Sequence, residues 1–468
     1  MNSSTGRLAR WAVAAAGALT LGLLGVAAPA TATGGPNLET DASGSITVHK
    51  FAEPAAPTGL PHDGSPVDTT GLTALEGVTF TVQRVTTIDL ATNLGWDAAA
   101  GLTAGDVLDA PADYPLDAGT NLATDAAGTA AFTGLPIGVY LVAETGVGDN
   151  PVAVKAEPFL VSVPLPTADN TWLYDVHVYP KNSVTGIAKD VSDAEAYGLG
   201  DIVTWKVSVD VPELAAGKTF TEFRIVDDLD PRLELRGTTV RLGDTTLTED
   251  VEYTVTEDGS AASVVLTADG RDLLLAEGQG GTVTVELTTA VIEIGDGIIT
   301  NDAEVHVNEF TGTTNTVDTR WGGLEIVKVG KAGDVTSHLQ GAEFQVFRTA
   351  AAAEDASGPV AVNGETTFTT EEDGRILIEG LKAGTYWIVE TKAPVGYVGT
   401  TDPIEVTVTA GSLAEAASYE VLNSQRAAFD LPLTGAAGTV LFSMAGLGLI
   451  AVAIGAAMRH RSRTPLAA

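Results

Sequence analysis

Cysteine is absent from this 468-residue sequence, and basic residues are scarce. Without cysteine the chain can form neither disulfides nor thiolate metal sites, so any covalent stabilisation must come from other side chains. Lysine and arginine number 25 against 61 acidic residues, which leaves a formal net charge of −36 at pH 7. Because binding of nucleic-acid phosphates requires a basic surface, this charge excludes nucleic acid as a partner.

The sequence also lacks the motifs of the common enzyme classes. Its six histidines form no HExxH or other metal-spaced pattern, and neither a GxSxG elbow nor a phosphate-binding loop occurs. His49 and His177 fall on strand faces that we expect to be solvated. We therefore expect no enzyme activity, no cofactor and no metal site.

The composition and the strand pattern favour an all-β chain. Apolar residues make up 44% of the sequence and aromatic residues 6%, while valine, threonine and glycine are abundant, as is typical of strands and turns. At roughly 150 residues per domain, the length allows about three domains. Short strands separated by turn signals predict three tandem β-sandwiches, which we place at 33–183, 184–320 and 321–424. An insertion from Trp96 to Asp117 is expected to hold a short helix.

The N-terminal segment has the pattern of a secretory signal peptide. Arg7 and Arg10 precede an apolar run over 11–26, which is followed by small residues at cleavage-site spacing. This pattern predicts removal of residues 1–32. We place the cleavage after Ala32, with Ala30 as the alternative.

The C-terminal segment predicts an anchor. Residues 436–458 carry no charge and are long enough to span a bilayer, and a basic tail follows over 459–468. Before them, at the end of a linker over 425–435, stands LPLTG. The combination resembles the wall-sorting signal of Gram-positive surface proteins, which implies that a sortase cuts between its last two residues. The alternative is an ordinary membrane anchor. The motif residues are Leu431, Pro432, Leu433, Thr434 and Gly435.

Three lysines fall on apolar strand faces. In SITVHK, strand alternation places Lys50 on the same face as Ile46 and Val48. Lys189 in TGIAKDV and Lys328 in LEIVKV repeat this placement near the start of the next two domains. Because an unpaired buried ammonium costs several kcal/mol, a recurring inward lysine requires a reason.

Each inward lysine has an acid and an asparagine to match it in the same domain. Alternation turns an asparagine inward near the end of each domain, and an acid inward on a strand between. In FRIVDDL, Asp227 aligns with Phe223 and Ile225, so we choose it over Asp228. The sets are Lys50, Glu144 and Asn182; Lys189, Asp227 and Asn301; and Lys328, Glu390 and Asn423.

Such a set can form an amide bond without an enzyme. Burial lowers the pKa of a lysine and raises that of a carboxyl group, so the amine becomes a nucleophile and the acid can shuttle protons. Attack of the amine on the asparagine side chain would release ammonia and leave a Lys–Asn isopeptide bond. The alternative is a buried salt bridge with an asparagine nearby.

The first and third domains share a repeat. GLPIGVYLVAET at 134–145 aligns without a gap on GLKAGTYWIVET at 380–391. The middle domain lacks this strand, and its acid is an aspartate. The first and third domains are therefore related, and the middle domain is of a different type.

The stretch WLYDVHVYPKN, from Trp172 to Asn182, resembles the pilin motif WxxxVxVYPKN. Together with the signal peptide, the triads and LPLTG, it makes the chain similar to the SpaA-like major pilins of Gram-positive sortase-assembled pili. This resemblance implies CnaA- and CnaB-type sandwiches with internal isopeptide bonds. It also implies that Lys181 is the nucleophile that joins subunits. A class C pilin sortase would hold Thr434 as a thioester, which Lys181 of another copy would attack.

The resemblance further implies a cell-wall-anchored pilus that supports adhesion. Its partners would be copies of itself head to tail, a housekeeping sortase, peptidoglycan, and minor tip or base pilins. The GxYxxxET strands resemble the family's E-box, which TKAPVGY completes in the third domain; the first domain reads TGVGDNP instead, which leaves the Lys50–Asn182 bond open. The alternatives are a non-polymerising wall-anchored adhesin and a minor pilin.

Overall fold

The computed structural model describes residues 37–426 and a helix over 436–461. The predicted signal peptide at 1–32 and the LPLTG motif at 431–435 lie outside the described residues. Within the described part, nearly all regular structure is strand, arranged in three successive β-sandwich units. The predicted all-β, multidomain fold class is confirmed.

The first unit (D1) contains twelve strands. Its sheets have the orders β11-β1-β5, β4-β3-β6-β8, β2-β12-β7 and β10-β9, and the first two enclose a core that includes Ile46, Phe80 and Phe132. The strands are β1 (Ser43–His49), β2 (Phe51–Ala52), β3 (Thr79–Arg84), β4 (Thr120–Ala123), β5 (Thr129–Pro136), β6 (Gly138–Gly146), β7 (Val152–Val154), β8 (Phe159–Val163), β9 (Leu165–Pro166), β10 (Trp172–Leu173), β11 (Asp175–Val178) and β12 (Lys181–Val184).

The insertion in D1 forms two short helices, where the sequence predicted one. They are α1 (Asn93–Ala99) and α2 (Ala104–Asp109). Each begins after a threonine, Thr92 or Thr103, whose hydroxyl caps the first turn. They help to cover a second small core around Leu90.

The second unit (D2) is a sandwich of two five-stranded sheets, β13-β14-β20-β16-β17 and β18-β19-β15-β22-β23. Alternation is clear in β14, where Val203, Trp205 and Val207 are buried. The elements are β13 (Ile187–Ser192), β14 (Ile202–Asp210), β15 (Phe223–Asp228), β16 (Leu233–Leu242), β17 (Thr245–Thr246), β18 (Tyr253–Asp258), β19 (Ala261–Leu266), α3 (Ala268–Leu273), a π-helical turn (Leu274–Gly278), β20 (Thr282–Val291), β21 (Ile298–Asn301), β22 (Glu304–Val307) and β23 (Phe310–Thr313).

The third unit (D3) has one sheet built around β24 and a four-stranded sheet of order β27-β26-β29-β31. In the first sheet β24 pairs with β25, β28 and, in parallel, β32. The elements are β24 (Val317–Ala332), β25 (Val335–His338), β26 (Glu343–Phe347), α4 (Ala350–Glu354), β27 (Phe368–Thr369), β28 (Arg375–Lys382), β29 (Gly384–Lys392), β30 (Tyr397–Val398), β31 (Ile404–Val408), a 3₁₀ turn (Leu413–Glu415) and β32 (Ala417–Gln425).

D2 and D3 are continuous through strand β24. Its first residues pair with β21 of D2 and its later residues with β28 and β32 of D3. The predicted boundary at 320/321 therefore falls inside one strand. Trp321 is fully buried at this point in a core that extends through both units. An ion pair of 2.7 Å between Lys382 and Asp193 adds a polar contact between D3 and D2.

The last described helix is α5 (Ala436–Arg461). Over the residues whose side chains the structure describes, none of the helices is long and apolar enough to cross a bilayer. The predicted span at 436–458 thus has no support from the structure.

Candidate isopeptide triads and the pilin-motif lysine

The first and last strands of D1 and of D3 are parallel neighbours, and the lysine and asparagine occupy equivalent positions on them. In D3, Lys328 is in register with Val421, two residues before Asn423. In D1, β1 pairs with β11 and β2 with β12 at one constant offset, which places Lys50 beside Pro180, two residues before Asn182. Since side chains repeat every two residues, both asparagines face the same side as their lysines.

The D1 triad is fully assembled. Lys50 and Asn182 are completely buried. The Lys50 Nζ donates a hydrogen bond to Asn182 Oδ1 and lies 2.9 Å from Glu144 Oε2. The Asn182 Nδ2 donates to Glu144 Oε1 at 2.7 Å. All three side chains thus touch one another, although the sequence left this set open.

The surroundings of the D1 triad favour a neutral amine. Burial lowers the pKa of Lys50 to about 8, although the Glu144 carboxylate opposes this shift. A lysine with such a pKa has an appreciable unprotonated fraction near neutral pH, so it can act as a nucleophile.

In D2 the lysine and the acid form a tight pair, and the asparagine adjoins the acid without a well-aligned hydrogen bond to it. Lys189 Nζ is 2.5 Å from Asp227 Oδ2, and both side chains are fully buried. The same Nζ donates to the carbonyl of Asp302 at 2.9 Å. Burial lowers the pKa of Lys189 and raises that of Asp227, in each case against the attraction of the partner. The Asn301 amide is buried with no hydrogen-bond partner within the described ranges.

Asn315 holds the backbone of Lys189 in D2. Its side-chain Oδ1 accepts a hydrogen bond from the Lys189 N–H at 2.9 Å, and its Nδ2 donates to the Lys189 carbonyl at 2.8 Å. This pair of bonds imitates the pairing of a neighbouring strand. Neither alternation nor any motif singles out Asn315 in the sequence, because its role depends on a contact across 126 residues.

In D3 the acid contacts both the lysine and the asparagine. Lys328 Nζ lies 3.8 Å from Glu390 Oε1, and Asn423 Nδ2 donates to the same oxygen at 2.7 Å. The Lys328 Nζ also donates to the carbonyl of Val421 at 2.8 Å, and Thr400 N–H donates to Glu390 Oε2 at 3.0 Å. Burial lowers the pKa of Lys328 to about 8, again opposed by the carboxylate.

Lys181 differs from the three inward lysines, because it is half-buried and takes part in no triad. It lies in β12 and lines a cavity of about 280 Å³ at the junction of D1 and D2. Lys155 and Lys218 line the same cavity, together with Glu53 and Glu157. The Lys181 side chain is thus partly accessible to solvent and lines a cavity, unlike the three inward lysines.

The sequence predicted that His49 and His177 are solvated, but the structure shows that they contact each other. His49 Nε2 and His177 Nδ1 are 2.8 Å apart, and the ring of His49 lies nearly parallel to those of His177 and Tyr179, with centroid distances of 5.2 and 4.9 Å. Both histidines are half-buried. Alternation gave both an outward face, but the parallel pairing of β1 with β11 sets His177 opposite Thr47, two residues before His49. The two histidines are therefore diagonal neighbours on that face.

Comparisons with known proteins agree with this architecture. Residues 41–183 match the family model of the Gram-positive pilin subunit D1, N-terminal domain. Residues 322–420 match the prealbumin-like fold domain model named SpaA. The fimbrial subunit type 2 of Actinomyces naeslundii is 33% identical over 99% of this chain and 98% of its own length.

Solved pilin structures share the arrangement. The full-length major pilin SpaD of Corynebacterium diphtheriae is 29% identical, with a TM-score of 0.71 over 84% of this chain and 99% of that one. The major pilin SpaA of the same organism is 26% identical, with a TM-score of 0.54 over 82% and 100%. The chain therefore belongs to the Gram-positive pilins, as a major fimbrial subunit of the cell surface that forms the pilus shaft and is not an enzyme.

Proposed function

We propose that this subunit is polymerised through a bond between the Thr434 carbonyl of one copy and the Lys181 Nζ of the next. A class C pilin sortase would cleave LPLTG after Thr434 and hold the threonine as a thioester, which the Lys181 amine attacks. Because the two joined sites are different, the contact is heterologous and generates an open fibre. A housekeeping sortase would attach the fibre to peptidoglycan.

The observation that carries this proposal is the position of Lys181. It is the one lysine of the pilin motif, and it lies beside the buried Asn182 and lines the D1–D2 cavity. The neighbouring Lys155 is bound to Glu309 at 3.5 Å, and Lys218 is bound to Glu157. No such ion pair engages Lys181 among the residues described.

We also propose Lys–Asn isopeptide bonds in all three domains. The contacts support the D1 bond most directly, since Lys50, Glu144 and Asn182 already touch. The related SpaA pilin has a structure that points to a modular pilus assembly with stabilizing isopeptide bonds. In D1 and D3 the bond would join parallel first and last strands, so tension along the fibre would load a covalent bond and not a ladder of hydrogen bonds.

The test for polymerisation is an immunoblot of boiled, denatured wall extracts from cells that express wild type, Lys181→Ala or Lys155→Ala. Lys155 is the matched control because it is a lysine on the same cavity. We expect a high-mass ladder in wild type and in the control, and monomer alone in Lys181→Ala. A single anchored band in all three would identify a non-polymerising surface protein.

Intact mass of the recombinant ectodomain tests the internal bonds. Each bond releases one ammonia, so the full set would lower the mass by three ammonia units. An unshifted mass would refute the isopeptide proposal and leave three buried salt bridges. Peptide mapping then assigns each missing ammonia to its domain.

A further inference from the structure

Among the described residues, the Asn182 amide of D1 has a contact that the other two asparagines lack. The peptide N–H of Ala156 donates a hydrogen bond of 2.7 Å to Asn182 Oδ1. Ala156 lies in the loop between β7 and β8, and β7 is paired with β12 immediately after Asn182. Backbone pairing between β7 and β12 thus ends before Ala156, and the Ala156 N–H binds the Asn182 side chain.

This contact determines the orientation of the amide. A peptide N–H can only donate, so the Asn182 atom facing Ala156 must be the oxygen. The nitrogen then faces Glu144 Oε1, to which it donates at 2.7 Å. The leaving group therefore lies against the acid, and the carbonyl oxygen lies against a fixed N–H dipole.

In the other triads, no described group donates a hydrogen bond to the carbonyl oxygen of the asparagine. Asn301 Oδ1 and Asn423 Oδ1 are buried without a partner among the residues described. In D3 a backbone donor, the Thr400 N–H, binds the acid Glu390 and not the asparagine. D1 alone of the three triads thus presents a donor at the atom where charge would develop.

We propose that the Ala156 peptide N–H is the oxyanion donor for formation of the D1 isopeptide bond, an inference that rests on the D1 bond proposed above. The Lys50 Nζ lone pair attacks Cγ of Asn182, and the carbonyl electron pair moves to Oδ1, where Ala156 N–H stabilises it. Glu144 takes the proton from Nζ and passes it to Nδ2. The Cγ–Nδ2 bond breaks, the carbonyl re-forms and ammonia leaves.

The geometry suits this role for two reasons. The donor is part of the backbone, so it needs no reorganisation when charge appears on the oxygen, and the buried site strengthens its effect. Removing one such donor in enzymes slows the reaction by about 100- to 1,000-fold. We expect about 100-fold slower D1 bond formation when this N–H is removed.

The experiment follows bond formation during cell-free synthesis of the full chain. Samples are quenched in acid at timed intervals and digested, and mass spectrometry measures the crosslinked peptides of D1, D2 and D3. Three chains are compared with wild type: Ala156→Pro, a chain with lactic acid at position 156, and Ala156→Ser. Proline removes the N–H, lactic acid replaces only the N–H by an ester oxygen, and serine retains it.

The proposal predicts slow D1 bonding in the proline and ester chains, wild-type D1 bonding in Ala156→Ser, and unchanged D2 and D3 bonding throughout. If proline prevents D1 from folding, the chain with lactic acid at position 156 provides the test of the oxyanion role, since it keeps the shape of the loop. Wild-type D1 bonding in the ester chain would overturn the oxyanion role. Absence of a D1 crosslink in wild type would instead refute the proposed D1 bond itself. The D2 and D3 peptides test the other two proposed bonds separately.

Discussion

Replacing Asn423 with alanine should separate the contribution of the D3 crosslink from the cost of the buried lysine. The variant keeps Lys328 next to Glu390 but removes the amide carbon that the amine would attack. The proposed bond closes a loop of about 100 residues, for which the loss of loop-closure entropy predicts about 4–5 kcal/mol of stabilisation. We therefore expect the free energy of unfolding of D3 to fall by about that amount.

The same variant should acquire a pH dependence that wild type lacks. Burial lowers the pKa of unreacted Lys328 to about 8 from 10.5, and its side chain is 0% exposed. This difference corresponds to roughly 3 kcal/mol. Because the unfolded chain binds this proton more tightly than the folded chain, the stability of Asn423→Ala should rise with pH between the two pKa values. In wild type the nitrogen would be an amide, which does not titrate in this range.

Differential scanning calorimetry of the ectodomain, at pH values below and above this window, measures both effects. Lys328→Met is the matched control, because it removes the bond and the charge together. It should show the loss of stability without the rise at high pH. The reasoning would be refuted if Asn423→Ala unfolded like wild type, or if both variants showed the same change with pH.

Three further predictions concern D2 and its junction with D3. Asp227→Ala should abolish the D2 crosslink, whereas Asp228→Ala, at the exposed neighbouring position, should not. The intact mass of Asp227→Ala should therefore exceed that of Asp228→Ala by one ammonia, and equal masses would contradict the assigned acid. Asn315→Ala should slow D2 bond formation in timed peptide mapping and leave the D1 and D3 bonds unchanged, so equal slowing in all three domains would indicate a general folding defect. Trp321→Ala should cost about 3–5 kcal/mol by cavity formation and lower the calorimetric transitions of D2 and D3 together, and an effect on D3 alone would argue against a shared core.

Strand alternation predicted most of the fold and the burial of the proposed triad lysines and asparagines. The inward placement of Lys50, Lys189 and Lys328 is a consequence of a two-residue period, which acts within a few residues and can be read without knowing the partner strand. The same period selects Asp227 over Asp228, and the structure indeed buries the first and exposes the second. The all-β class and the division into sandwiches follow equally from local strand and turn patterns.

Only the tertiary structure decided which groups meet. The contact of Lys50 with Asn182 depends on parallel pairing between strands 132 residues apart, and the Ala156 and Asn315 contacts depend on where loops run. The sequence did not reveal that β24 continues across the expected boundary. A strand shared by two domains has the same alternation as two strands in succession. Alternation determines the face to which a side chain points. The partner on that face is determined by register and topology, and those are properties of the whole fold.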